Sequence, residues 1–161
     1  FKKAAPDVFL GLTSQLSYKN WDLNFGLRAS FGNSVYNNIQ SNREAWAGSQ
    51  MYDQTGFLKN RLTSAEKTNF QISQPLSSYY VQNASFLRMD NITLGYTFDK
   101  VFRTGQTARV YFTVQNPFVI TKYSGLDPEI GRTSTLEDNT GMDNNIYPRP
   151  RTYMIGLNVN F

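Results

Sequence analysis

The chain is 161 residues long, 40% hydrophobic and 15% aromatic, enough apolar side chain to bury a substantial surface, and its formal net charge is +4. It contains neither Cys nor His, which excludes disulfides, thiol nucleophiles, Cys/His zinc sites, a Ser-His-Asp triad and a histidine general base. The basic residues are scattered, with Lys2-Lys3 and Arg149/Arg151 as the densest groups, so no polybasic run marks a nucleic-acid or lipid-headgroup patch.

No run reaches the roughly 18 consecutive apolar residues of a membrane-spanning helix, so a membrane role would rest on strands, whose apolar residues alternate. The opening stretch, FKKAAPDVFLG, lacks the features of a signal peptide and enters a patterned strand almost at once, which predicts a mature chain or a fragment. The first predicted strand, 8–19, places Val8, Leu10, Leu12, Leu16 and Tyr18 on one face, interrupted by Ser14. Phe9, Gly11, Thr13, Gln15, Ser17 and Lys19 take the other. The second, 21–32, alternates Trp21, Leu23, Phe25, Leu27, Ala29 and Phe31 with Asp22, Asn24, Gly26, Arg28, Ser30 and Gly32. The short connection between them predicts a tight antiparallel hairpin.

A long connection, 33–84, follows. Short helices are expected in it at SNREAWAGSQMY, capped by Ser41 or Asn42, and at TSAEKTNF, capped by Thr63 or Ser64. The third strand, 86–98, keeps Ile92, Leu94, Tyr96 and Phe98 on one face and Asn91, Thr93, Gly95 and Thr97 on the other. Upstream, Arg88 and Asp90 fall on the apolar side, which predicts either a position at the outer membrane interface or a β-bulge. The fourth, 108–118, sets Ala108, Val110, Phe112, Val114 and Phe118 against Arg109, Tyr111, Thr113 and Gln115. After a second long connection, 119–150, the fifth, 152–161, alternates Tyr153, Ile155, Leu157, Val159 and Phe161 with Met154, Gly156, Asn158 and Asn160.

Connections that run short, long, short, long are those of an outer-membrane barrel, with periplasmic turns and larger extracellular loops. The apolar faces have the length of a tilted strand crossing the hydrocarbon layer. Aromatic residues end them, with Tyr18, Trp21, Phe98 and Phe161 at the lower interface and Phe31, Phe118 and Tyr153 at the upper, matching two aromatic girdles. A soluble antiparallel sandwich would also alternate. Gly, Asn, Ser and Thr on the opposite faces, with few Lys or Glu, favour the barrel. The expected class is therefore all-β, an antiparallel transmembrane β-barrel segment with two long extracellular loops.

Catalytic and metal chemistry find little support. Asp127 and Glu129 in GLDPEIG, and Glu137, Asp138 and Asp143 in EDNTGMDNN, are oxygen-rich but lack the spacing of an EF-hand loop. GLDPEIGRT lacks the Gly-Lys-Ser/Thr end of a phosphate loop. No catalytic residue, cofactor or metal is expected. Trp46, Tyr79, Tyr123, Asp127, Glu129 and Tyr147 are the candidates for contacts with substrate or partner in the loops, while Arg28, Arg109, Tyr111 and Gln115 are expected as wall or plug contacts.

At NASFLRMDNITLGYTF, RVYFTVQNPFVITKYSGLDPEIG and YPRPRTYMIGLNVNF the sequence resembles the C-terminal end of SusC/RagA-type TonB-dependent outer-membrane transporters of the Bacteroidetes. The likeness runs over almost the whole chain and is weakest at about 40–80. It implies the last five strands of a 22-stranded barrel in the outer membrane, with residues 1–161 all barrel and the plug elsewhere. It further implies a SusD-like lipoprotein as lid, energy from TonB, and import of oligosaccharides, peptides or similar nutrients. An alternating last strand ending in an aromatic is, by the same resemblance, the signal read by the barrel-assembly machinery, here Tyr153, Ile155, Leu157, Val159 and Phe161. Two further readings stay open: a SusC-like barrel serving as a structural subunit of a larger outer-membrane assembly or secretion complex, and a soluble carbohydrate-binding β-sandwich.

Overall fold

A computed structural model of the protein describes residues 2–45, 62–99, 101, 106–130, 141–144 and 146–160. In chain order the elements are β1 (Val8–Tyr18), β2 (Trp21–Phe31), β3 (Ser34–Asn37), α1 (Asn38–Arg43), α2 (Ala65–Thr68), a 3-10 turn (Ser78–Tyr80), β4 (Val81–Asn83), β5 (Phe86–Asp99), β6 (Thr107–Thr121), β7 (Met142–Asp143) and β8 (Thr152–Asn160). They fall into two compact units. The sheet unit is Val8–Ser30, Phe86–Thr121 and Arg149–Phe161, and the loop unit is Phe1–Asp7, Phe31–Ser85 and Lys122–Pro148.

The sheet unit is one 5-stranded sheet with the order β1-β2-β5-β6-β8, so each long strand pairs with the next long strand in sequence. The pairings of β2 with β5, β5 with β6 and β6 with β8 are antiparallel. Partners across an antiparallel ladder share a face, and the register sorts the residues accordingly. Leu23, Leu94, Phe112 and Ile155 form one apolar row, and Trp21, Tyr96, Val110 and Leu157 the next. Trp21 meets Tyr96 edge to face at 4.8 Å between centroids, and Tyr96 meets Phe98 at 4.7 Å. Among the described residues this face stays open to its surroundings: Trp21 is 48% exposed and Ile155 80%.

β1 and β2 are joined through Lys19, held at φ +52°, and Asn20. Asn20 stitches this turn to the end of β5, its carbonyl accepting from the Thr97 N–H at 2.8 Å and its Nδ2 donating to the Thr97 carbonyl at 2.7 Å.

The out-of-phase pair in β5 is resolved by a bulge. Asn91 faces Gly26, but Met89 faces Leu27, so Asp90 is an extra residue relative to β2. The shift carries Arg88 opposite Arg28, onto the polar face, where it is 3% exposed. Of the two sequence expectations, the bulge is the one realised, and Arg88 does not continue the apolar row. β6 is irregular at the same height: Asn116 sits at φ +50°, between Gln115 opposite Asn91 and Phe118 opposite Met89. The irregularity accommodates Pro117, which has no N–H to give to a ladder.

The loop unit is built on β3, which pairs antiparallel with β4 and parallel with β7. Its core gathers Val35, Ala84 and Tyr123, with Ile130 packed against them. α1 begins earlier than the sequence suggests. Its cap is Asn37, at the end of β3, whose side chain accepts from the Gln40 N–H at 2.9 Å, so the third orphan N–H of the helix is already satisfied. Ser41 lies inside the helix instead and donates to the Asn38 carbonyl at 3.1 Å. The part of the expected helix from Trp46 onward lies outside the described residues. α2 follows Ser64, one of its two expected caps, although the Ser64 side chain makes no capping bond, and ends on Asn69 in the left-handed region at φ +50°. No helix among the described residues is long and apolar enough to cross a membrane, which says nothing of strands.

Candidate functional site

The polar face of the sheet carries ion pairs in two places. Near the Trp21 end, Arg109 on β6 grips Asp22 on β2, with Nε donating to Oδ1 at 2.9 Å and Nη2 to Oδ2 at 2.5 Å. β5 runs between these two strands, so the pair spans it. It does so over Gly95, the partner of Asp22 on one side and of Tyr111 on the other. A Cβ at Gly95 would lie 2.5 Å from Asp22 Oδ1 and 2.6 Å from Arg109 Nη2. Arg109 also sits over the Tyr111 ring, 5.0 Å from its centroid. Tyr111 in turn lies against its partner Gly156 on β8, where any Cβ would enter the ring. A continuous band of Asp22, Arg109 and Tyr111 thus crosses the sheet, and the glycines of β5 and β8 are the floor it needs.

Midway along the same face, Thr93 and Thr113 share a hydrogen bond of 2.8 Å between their hydroxyls. Beyond the bulge, Arg28 holds Asp90 by Nε to Oδ2 at 2.5 Å and Nη2 to Oδ1 at 2.8 Å, and Arg88 packs over the Phe86 ring at 5.7 Å. Arg28 and Arg109, expected as wall contacts, thus hold other strands of the wall. The sequence did not expose their partners; the one prior signal was a glycine in mid-strand at Gly95, which marks close approach of other groups.

The loop candidates separate by burial. Tyr123 and Asp127, candidates for substrate or partner contacts, are each 6% exposed. Tyr123 belongs to the core of the loop unit, where its hydroxyl donates to Asp143 Oδ2 at 2.6 Å. Burial first, and then this bond to Asp143, hold the Tyr123 hydroxyl protonated well above the ordinary phenol range. Asp127 Oδ1 accepts from the Glu129 N–H at 2.9 Å, a local turn that leaves Glu129 half-buried. Tyr79 and Tyr147 are exposed, and Tyr79 meets Phe70 edge to face at 5.6 Å. Trp46 lies outside the described residues, as do Glu137, Asp138 and Phe161. On β8, Tyr153, Ile155 and Leu157 are exposed on the apolar face and Val159 is half-buried. Among the described residues no group of three or more His, Cys, Asp or Glu side chains is placed to hold a metal ion.

Over its whole length the chain is 44% identical to TonB-dependent receptor SusC of Bacteroides thetaiotaomicron. It also superposes on a chain of the RagAB peptide importer in its closed-closed state with a TM-score of 0.74 and 25% identity, over 97% of this chain and 17% of that one. The chain belongs to the SusC/RagA-type TonB-dependent receptors. A further relative, TonB-dependent receptor P3 of Formosa agariphila, is 31% identical over 97% of the chain. The open-open state of the RagAB importer matches with a TM-score of 0.73 and 25% identity, over 99% of this chain and 18% of that one. No protein-family model matches. The chain spans 16% of the length of each of the two curated relatives. Receptors of this SusC/RagA type are outer-membrane transport proteins, not enzymes, and the antiparallel sheet matches part of the RagA barrel.

Proposed function

We propose that this chain forms the last five strands of a 22-stranded barrel whose complete receptor imports oligosaccharides, peptides or similar nutrients, using TonB-supplied energy and a SusD-like lipoprotein as lid. The observation that carries this reading is the two-sidedness of the sheet. One face is apolar, with Trp21, Leu94, Val110, Phe112, Ile155 and Leu157 exposed on it, whereas the other carries Gly, Asn, Thr and ion pairs internal to the wall. Lipid satisfies the first face and a water-accessible lumen the second, and β1 and β8 would be continued by the neighbouring strands of a closed barrel, the form that leaves no open edge in a membrane.

In this reading the two long connections face the cell exterior, where Tyr79 and Tyr147, among the described candidates, are exposed to a lipoprotein partner or cargo. The likeness to the RagAB peptide importer supports a partnered importer. Tyr153, Ile155, Leu157, Val159 and Phe161 would carry the signal for the barrel-assembly machinery. The test is uptake of labelled nutrient oligomers by cells carrying the full-length receptor and its neighbouring lipoprotein, with TonB present or deleted. Uptake that disappears with TonB is expected. Uptake indifferent to TonB, or loss of the receptor that leaves uptake intact and disrupts a larger assembly, would favour the structural-subunit reading.

A further inference from the structure

The loop unit holds a cavity of about 420 Å³, within the range of about 300–1,000 Å³ that small-ligand pockets occupy. One wall is a face of α1. Ile39 and Arg43 are four residues apart and so lie on the same side of the helix, with Gln40 beside them. Leu62, Thr63 and Ser64 make a second wall, and Ser124 to Leu126 a third.

These walls are braced by their own hydrogen bonds. The Ser124 N–H and hydroxyl both donate to Gln82 Oε1, at 3.0 Å and 2.8 Å, and Gln82 Nε2 donates to Gln40 Oε1 at 2.6 Å. Gln40 Nε2 in turn donates to Glu44 Oε1 at 3.0 Å, and the Leu62 N–H donates to the Arg43 carbonyl at 3.3 Å, which joins the second wall to the first. Gln40 and Ser124 are thereby committed to the frame, as is Glu44, which is fully buried.

The frame leaves two kinds of group to a ligand. Arg43 is half-buried, and among the described residues its side chain makes no hydrogen bond or ion pair, an unfavourable state for a charge partly removed from water. Ser64, whose hydroxyl makes no capping bond, lines the same cavity with Thr63. Beside these polar groups stand aliphatic side chains left in contact with solvent, Leu62 at 36% exposure and Leu126 at 58%. A guanidinium fits the two oxygens of a carboxylate, and the leucines ask for an apolar group close to it. A sugar acid supplies the carboxylate without the aliphatic surface. The last residue of a peptide ending in Leu, Ile or Val supplies both from one Cα.

We infer that this cavity holds the C-terminal residue of a peptide cargo, with its carboxylate on Arg43 and its apolar side chain against Leu62 and Leu126. The inference rests on the transport reading above and deepens it by naming the end of the cargo that the loop unit grips. The experiment measures calorimetric binding of three probes to the full-length receptor with its lipoprotein partner: Ala-Ala-Ala-Leu as the free acid, the same peptide as its C-terminal amide, and Ala-Ala-Ala-Ser as the free acid. The acid ending in Leu is expected to bind about tenfold or more tightly than either of the others, and its advantage over the amide to shrink as salt is added. Arg43→Gln is expected to erase the preference for acid over amide and keep the preference for Leu over Ser, and Leu126→Ser to do the reverse. Failure of the Leu acid to outbind both other probes overturns the inference, as does a preference for acid over amide that survives Arg43→Gln. If that variant does not assemble, Leu126→Ser, at an exposed position, decides the matter: an undiminished preference for Leu over Ser overturns it. Binding requires no TonB, so the uptake assay decides the transport reading separately.

Discussion

Leu157→Lys in the full-length receptor is expected to reduce its level in the outer membrane to a small fraction of wild type. Leu157 stands in the middle of the apolar face of β8, 62% exposed, opposite Val110 and between Ile155 and Val159. A lysine on the lipid face of a barrel costs about 2–4 kcal/mol at the bilayer midplane, a large fraction of the net stability of a folded domain. Asn160 points to the other face, opposite the uncharged Thr107, so Asn160→Lys is the control and is expected to assemble at near-normal levels. Immunoblots of outer-membrane fractions, with the gel mobility of unheated samples as the check on folding, measure both. Equal tolerance of the two lysines would mean that the exposed face does not meet lipid.

Gly95→Ala is expected to destabilise the barrel by about 1–3 kcal/mol, the range for forcing an extra methyl into a filled space. The new Cβ would stand 2.5–2.7 Å from Asp22 Oδ1, Asp22 Oδ2 and Arg109 Nη2, and the pair that joins β2 to β6 would have to open. Gly26 lies on the same face four register positions nearer the bulge, but its Cβ would meet only the Asn91 side chain, at 3.6 Å and beyond. Gly26→Ala should therefore fall within about 0.5 kcal/mol of wild type, the usual range for substitutions away from special features. Urea unfolding in lipid vesicles distinguishes the two. Similar midpoints for both variants would show that the Asp22–Arg109 pair adjusts without loss. Removing the pair with Asp22→Ala should relieve part of the Gly95→Ala penalty, since the two substitutions act on one contact.

How much of this was legible in the sequence depended on whether a residue's environment is periodic. The antiparallel sheet was, because a lipid face and an interior face impose strict alternation, and Trp21 to Phe31 or Tyr153 to Val159 carry it with little noise. Arg88 and Asp90 broke the alternation, and the break was a true signal, but sequence could not choose between an interfacial position and a bulge. The pairing of Met89 with Leu27 makes the choice. The Asp22–Arg109 pair was out of reach, its members 87 residues apart on strands that do not touch, and only the mid-strand Gly95 hinted that something passes overhead. The loop unit follows no period. Tyr123 looked like the other loop aromatics, yet its fate was set by a parallel pairing of β3 with β7 that brings Asp143 to its hydroxyl. The α1 cap was missed for a related reason: Asn37 ends a strand, and a strand that turns directly into a helix leaves no loop to announce the cap.

The central claim is that one face of this sheet meets lipid and the other meets water. The chain has no native cysteine, so single cysteines can be read along β8 without background from this segment. With the full-length receptor in intact outer membranes, Thr152→Cys, Met154→Cys and Asn158→Cys are predicted to react with a charged, membrane-impermeant maleimide. Tyr153→Cys, Ile155→Cys and Leu157→Cys are predicted to react only with an apolar, membrane-soluble reagent. Labelling without this alternation, or with the opposite parity, would contradict the account.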